Sequence, residues 1–215
     1  MNQKNLISNL EKKGVLAVVT INDLEKTNYL CDALLSGGIS MIELTLRTDN
    51  AFKIINHISK NYAEIIVGAG TILSIAQLEK SIESGASFGV APGIDPFVIE
   101  ESKKLNFTFA PGICTPSDIQ QALSYNLNLL KFFPAEYSGG LDYLKSISTP
   151  FIQNNLKFIP LGGININSAK NYLHSNLVVA IGGSWIANNS LITESNWKEI
   201  EKRANEMHKL VATVR

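Results

Sequence analysis

Cysteine and histidine are scarce in this 215-residue chain, which holds two cysteines (Cys31, Cys114) and three scattered histidines (His57, His174, His208). Two distant cysteines make no disulfide framework, and none of the five residues has a metal-ligand spacing. A structural or catalytic zinc site is therefore not expected. The histidines fall in segments that read as helix and are taken as surface or packing residues. Cys114 follows a Pro-Gly turn and reads as a small buried hydrophobe. An excess of one charge is also lacking, since 19 basic residues balance 19 acidic ones. No Lys or Arg run builds the stripe that would neutralise nucleic-acid or lipid phosphates, which excludes those partners. Long apolar runs are missing too. Leu177 to Ile186 is the longest candidate, is broken by Gly182, Gly183 and Ser184, and falls short of the ~18 residues that cross a bilayer. The polar, periodic start from Met1 to Lys13 is not a signal peptide, so the protein is expected in the cytoplasm.

What is present is an ordinary globular composition, 45% hydrophobic and 18% charged, in a length that suits one domain over residues 1–215. Short β-branched or aromatic runs alternate with longer amphipathic segments. Strands are predicted at Val15 to Ile21, Met41 to Leu46, Ile65 to Gly68, Phe88 to Ala91, Phe107 to Ala110, Leu129 to Phe133, Phe158 to Leu161 and Val178 to Ile181. Helices are predicted at Leu24 to Leu35, Ala51 to Asn61, Ile75 to Ser84, Pro96 to Leu105, Pro116 to Ser124 and Ile166 to His174. Asp95-Pro96, Thr115-Pro116 and Asn165 to Asn167 supply start signals, and Gly37-Gly38 and Gly85 supply stops. Eight βα units favour closure into a (β/α)8 TIM barrel, which removes edge strands, over a doubly wound open sheet. An extra N-terminal helix with Leu6, Ile7 and Leu10 on one face would cover the barrel bottom.

In such a barrel the reactive groups gather at the C-terminal ends of the strands, so charges inside strands attract notice. In the second predicted strand a period of two puts Glu43, Thr45 and Arg47 on one face and Ile42, Leu44 and Leu46 on the other. The apolar set meets the helices; the polar set faces the interior, as a buried Glu43–Arg47 ion pair or as groups that serve a ligand. The sixth predicted strand embeds Lys131 in an apolar, aromatic run. Removal from water disfavours its ammonium form and favours the nucleophilic amine, and a cation at Arg47 would act the same way. Such an amine attacks a ketone to give an imine that withdraws electrons from the neighbouring carbon, and Glu43 qualifies as the proton shuttle this chemistry needs. A snorkelling edge lysine is the alternative. Gly162-Gly163 and Gly182-Gly183-Ser184 end the seventh and eighth predicted strands, where barrels bind phosphate on glycine backbone and a helix N-terminus; two tight turns without a ligand are the plain alternative. Thr71, in Gly68-Ala69-Gly70-Thr71, would sit in the same mouth.

Taken in order, Glu43-Leu-Thr-Leu-Arg47-Thr, Gly68-Ala-Gly-Thr71, Pro92-Gly93, Pro111-Gly112-Ile113, Lys131-Phe-Phe-Pro-Ala-Glu136, Gly162-Gly-Ile and Gly182-Gly-Ser184-Trp185 resemble the 2-keto-3-deoxy-6-phosphogluconate aldolase family nearly end to end. That family, which includes 4-hydroxy-2-oxoglutarate aldolases, consists of trimeric class I aldolases on a (β/α)8 barrel. The resemblance implies Lys131 as the Schiff-base residue, Glu43 as general acid and base, and Arg47 with Thr71 as holders of the pyruvyl carboxylate. It also implies Pro92 and Phe133 as substrate contacts, Gly162, Gly163, Gly183 and Ser184 as the phosphate site, and a homotrimer acting on a keto-acid phosphate with no metal or other cofactor, since the protonated imine is the electron sink. One position departs from the pattern: Leu161 stands where the family usually has threonine, as in relatives acting on the galactonate epimer. The expected activity is reversible cleavage of 2-keto-3-deoxy-6-phosphogluconate to pyruvate and glyceraldehyde 3-phosphate, with the galactonate epimer or 4-hydroxy-2-oxoglutarate as alternatives. A barrel isomerase or epimerase that uses Glu43 without an imine, and a non-catalytic sugar-phosphate binder, are the competing classes.

Overall fold

The computed structural model describes residues 1–215. Its nine strands are β1 (Val15–Val19), β2 (Met41–Thr45), β3 (Ile66–Gly70), β4 (Gly89–Val90), β5 (Phe109–Ala110), β6 (Gly112–Ile113), β7 (Leu129–Phe132), β8 (Lys157–Pro160) and β9 (Ile181–Gly183). Ten helices accompany them: α1 (Gln3–Lys13), α2 (Leu24–Ser36), α3 (Ala51–Asn61), α4 (Ile75–Glu83), α5 (Pro96–Lys104), α6 (Pro116–Ser124), α7 (Gly140–Ser148), α8 (Ile166–Leu173), α9 (Asn189–Thr193) and α10 (Trp197–Val214). The strands form two all-parallel sheets, one ordered β5-β4-β3-β2-β1-β9 and the other β6-β7-β8. A single bridge from Phe158 to Val178 leads from the second sheet toward β9.

Strand parity sorts side chains between two cores. On β2, Ile42 and Leu44 join the large outer cluster that meets the helices, while Met41 joins a smaller inner cluster. On β7, Leu130 and Phe132 face outward and Leu129 faces inward. The inner cluster draws on both sheets, with Leu16, Met41 and Val90 from one and Leu129 and Ile159 from the other. The two sheets therefore enclose a common interior, and Leu6 and Leu10 of α1 pack into it. Burying each such leucine contributes roughly 1.5–3 kcal/mol, which fixes α1 against the sheets as its amphipathic pattern requires.

Several helix starts form as their sequences dictate. Asp95 caps the amides of Phe97 and Val98, Thr115 and Asp118 close a capping box, and Asn165 accepts from Asn167 and Ser168. Two strands depart from expectation. The fifth breaks at Pro111, which has no N–H to give a ladder; its carbonyl instead accepts from the Lys131 amide at 2.9 Å. The eighth begins at Ile181 and not at Val178, because the Arg215 guanidinium takes the carbonyls of Val178 and Val179. Cys114 is half-buried rather than buried, and its thiol donates to Ser138 Oγ at 3.1 Å. Helices α7 and α10 were not among the segments singled out by periodicity.

Candidate active site

Glu43 and Lys131 meet across the interior, one from each sheet. Lys131 Nζ donates to Glu43 Oε1 at 2.9 Å, with the two residues 5% and 1% exposed. The other carboxylate oxygen, Glu43 Oε2, has no hydrogen-bond partner in the protein although it too is buried. A buried carboxylate is costly unless paired and fully hydrogen-bonded. Half of this one is left without a partner, in a residue that lines a cavity.

Space for the carboxylate comes from a neighbouring strand. Glu43 is in register with Val18 of β1 and Gly68 of β3, and Thr45 with Gly70. A β-carbon on Gly70 would land on Glu43 Oε1 and within 2.7 Å of its carboxyl carbon. Glycine at that position is therefore what lets the carboxylate lie against β3 and face Lys131. Lys131 itself sits between Gly112 of β6 and Ile159 of β8.

A cavity of about 130 Å³ lies over this pair at the C-terminal ends of the strands. Eight of the ten residues expected at the site line it: Glu43, Arg47, Thr71, Pro92, Lys131, Phe133, Gly162 and Ser184. Gly163 and Gly183 do not; the lining glycines are the first of each pair, Gly162 and Gly182. Gly183 faces the Trp185 ring, which occupies the space a β-carbon would need. Four wider clefts of about 300 to 470 Å³ occur elsewhere, and none contains a buried lysine beside a carboxylate.

Arg47 is exposed and lies past the end of β2, where its amide donates to the Thr45 carbonyl at 2.9 Å. The strand stops too early for the pleat to place it, and the Glu43–Arg47 ion pair is replaced by Glu43–Lys131. Arg47 forms no salt bridge, which leaves its guanidinium free for an anion at the mouth. Thr71 holds a φ of +66°. For a β-branched residue this left-handed backbone costs on the order of 1–3 kcal/mol, a strain that concentrates at binding sites.

Four lining residues lie outside the ten expected at the site: Val18, Thr45, Leu161 and Gly182. Strand parity puts Thr45 in the inward row of Glu43 without giving it a role, and its hydroxyl meets that of Thr20 at 2.7 Å. Leu161 was noted only as a departure from a pattern, yet it is buried and lies where a β-carbon on Gly182 would be. Glu136 does not line the cavity. It accepts a 2.6 Å hydrogen bond from Tyr172, and burial, followed by that bond, pushes the tyrosine hydroxyl well up from its ordinary range.

A buried lysine, a carboxylate in hydrogen-bond contact with it that can carry protons, and a free cation at the entrance make an arrangement suited to imine chemistry on a keto acid. The family model for KDPG and KHG aldolase matches residues 6–203. The chain is 33% identical over 204 residues to a 2-dehydro-3-deoxy-phosphogluconate aldolase of Haemophilus influenzae, covering 95% of each. It is 36% identical over 192 residues to the KHG/KDPG aldolase of Escherichia coli K12, covering 89% of each. A solved KDPG aldolase from Legionella pneumophila, with pyruvate captured at low pH as a covalent carbinolamine intermediate, gives a TM-score of 0.87 at 33% identity over 93% of this chain and 96% of that one.

Proposed function

Since the chain belongs to the KDPG and KHG aldolase family, we propose that it cleaves 2-keto-3-deoxy-6-phosphogluconate to pyruvate and glyceraldehyde 3-phosphate through an imine on Lys131. It is an aldolase, a carbon–carbon lyase. The observation that carries the assignment of roles is the buried Lys131–Glu43 contact of 2.9 Å with the second carboxylate oxygen unbonded.

Glu43 takes a proton from the Lys131 ammonium, and the freed amine adds to the C2 ketone. The carbinolamine loses its hydroxyl as water, with a proton supplied by Glu43, to leave a protonated imine. Glu43 then removes the C4 hydroxyl proton. The C3–C4 bond breaks, its electron pair passes into the C2–C3 enamine, and the aldehyde departs. Protonation of C3 by Glu43 and addition of water return pyruvate and the lysine. Arg47 and Thr71 hold the C1 carboxylate. Gly162 and Ser184, which line the cavity, receive the phosphate together with Gly163 and Gly183 behind them, through amides of the two loops and not through the first-turn amides of α8 at Asn167 and Ser168, which Asn165 already caps.

We infer further that the sheets close as a (β/α)8 barrel with α1 across its bottom, supported by the inner cluster both sheets share. A homotrimer in the cytoplasm completes the picture. Leu73 and Phe97, 58% and 72% exposed, are apolar surface that assembly would cover, and no helix is long and apolar enough to cross a membrane. Leu161 offers no hydroxyl to the substrate's C4–C6 end, which favours the galactonate epimer as the second reading.

Borohydride added with pyruvate is expected to fix a reduced adduct on Lys131, and a lactate-dehydrogenase-coupled assay should show pyruvate released from one of the two epimers or from 4-hydroxy-2-oxoglutarate. No adduct and no pyruvate from any of them would overturn the assignment. Gly70→Ala should lower kcat by about 10²-fold by displacing the Glu43 carboxylate on the order of 1 Å, while leaving the Arg47 end of the site intact. Wild-type kcat in that variant would mean the carboxylate's placement against β3 is unimportant.

A further inference from the structure

We propose that the phenyl ring of Phe133 is a catalytic group whose face stabilises positive charge on Lys131 Nζ during imine formation; this rests on the Schiff-base route above. Nζ lies 5.4 Å from the Phe133 ring centroid, inside the roughly 6 Å range in which a cation is attracted to the negative face of an aromatic ring. The ring has a fixed seat. Phe133 shares the inward row of Lys131 while Phe132 faces the outer core, its amide donates to the Ile113 carbonyl at 3.1 Å, and a β-carbon on Gly162 would sit 3.2 Å from the ring.

The ring does what the carboxylate cannot. When the amine adds to the ketone, its nitrogen becomes positive at the moment Glu43 holds the proton it has just removed. The carboxyl is then neutral and no longer balances the charge. Arg47 at the mouth is engaged with the C1 carboxylate and supplies no counter-charge. The nascent alkoxide balances the charge only until it is protonated, whereas the ring's quadrupole does not titrate, so the ring is the protein group beside Nζ that favours the cation through that step. Around a lysine as buried as this one the attraction is stronger than at a surface.

The test replaces Phe133, by site-specific incorporation into the full-length chain, with phenylalanine carrying one, two or three fluorines, which drain the ring face with little change of shape. The rate of imine formation with pyruvate is read by rapid quench into borohydride and intact mass. The expected result is a stepwise fall, linear in the logarithm, reaching about 2- to 30-fold across the series, with Phe133→Leu at or below the end of it and the same series at Phe132 flat. A flat series at Phe133 with only Phe133→Leu impaired would overturn the proposal, leaving the ring as a filler of space. An equal fall at Phe132 would overturn it as well. Failure of the unsubstituted protein to form any adduct would instead reject the imine route itself.

Discussion

Lys131→Met is expected to abolish the pyruvate adduct, lower kcat by at least about 10³-fold and destabilise the fold, three effects with separate causes. Enzymes accelerate reactions by about 10⁶-fold or more, and acid–base catalysis by one side chain supplies about 10²–10⁴ of that, so losing the covalent route forfeits the rest. The stability loss comes from the partner left behind. Glu43, 1% exposed, would keep neither of its hydrogen-bonding oxygens satisfied. Removing one member of a buried ion pair typically costs 3–5 kcal/mol, roughly, whereas replacing both by apolar groups of similar size is near neutral. Denaturant unfolding should therefore show Lys131→Met well below the parent, and the double variant Lys131→Met, Glu43→Met back near it, both inactive. A single variant as stable as the parent would mean that the two charges are not dry, and with that the premise of a poised amine would go.

The parts of this site that were legible lie where strand period and burial act alone. β2 is buried along its whole length, so a period of two assigned Glu43 and Thr45 to the interior without knowledge of the partners. Lys131 announced itself because an ammonium in an apolar run has to be accounted for. What the sequence could not show depended on contacts distant in the chain. The Lys131–Glu43 bond spans 88 residues and joins two sheets whose relative placement no local pattern encodes. Arg47 reached the cavity through a turn after Thr45, so the parity that named it was the wrong reason. Which glycine of each pair faces the cavity was set by the Trp185 ring behind Gly183 and by Leu161 over Gly182. The late start of β9 follows from Arg215, at the far end of the chain. The break at Pro111 was different: a proline without a donor stood in plain view beside the fifth predicted strand, and only its consequence for the ladder went unread.

Glu43→Gln should separate the two halves of the chemistry that Lys131→Met removes together. The amide oxygen can still accept from Lys131 Nζ at the position of Oε1, and the side chain keeps its length, so the lysine stays where it is. What is lost is the group able to take and return a proton at the unbonded Oε2. kcat is expected to fall by about 10²–10⁴-fold. The KM for pyruvate in the reverse direction should change little, since the proposed holders of its carboxylate are Arg47 and Thr71 and neither is hydrogen-bonded to Glu43. The most direct measurement is exchange of the pyruvate methyl protons with deuterated solvent, followed by NMR, because each exchange requires C3 of the enamine to lose and regain a proton. Borohydride should still trap an adduct, more slowly, while exchange is suppressed by the same factor as kcat. Exchange within tenfold of the parent would assign the proton transfers to another group or to solvent, and the unpartnered carboxylate oxygen would then need a different explanation.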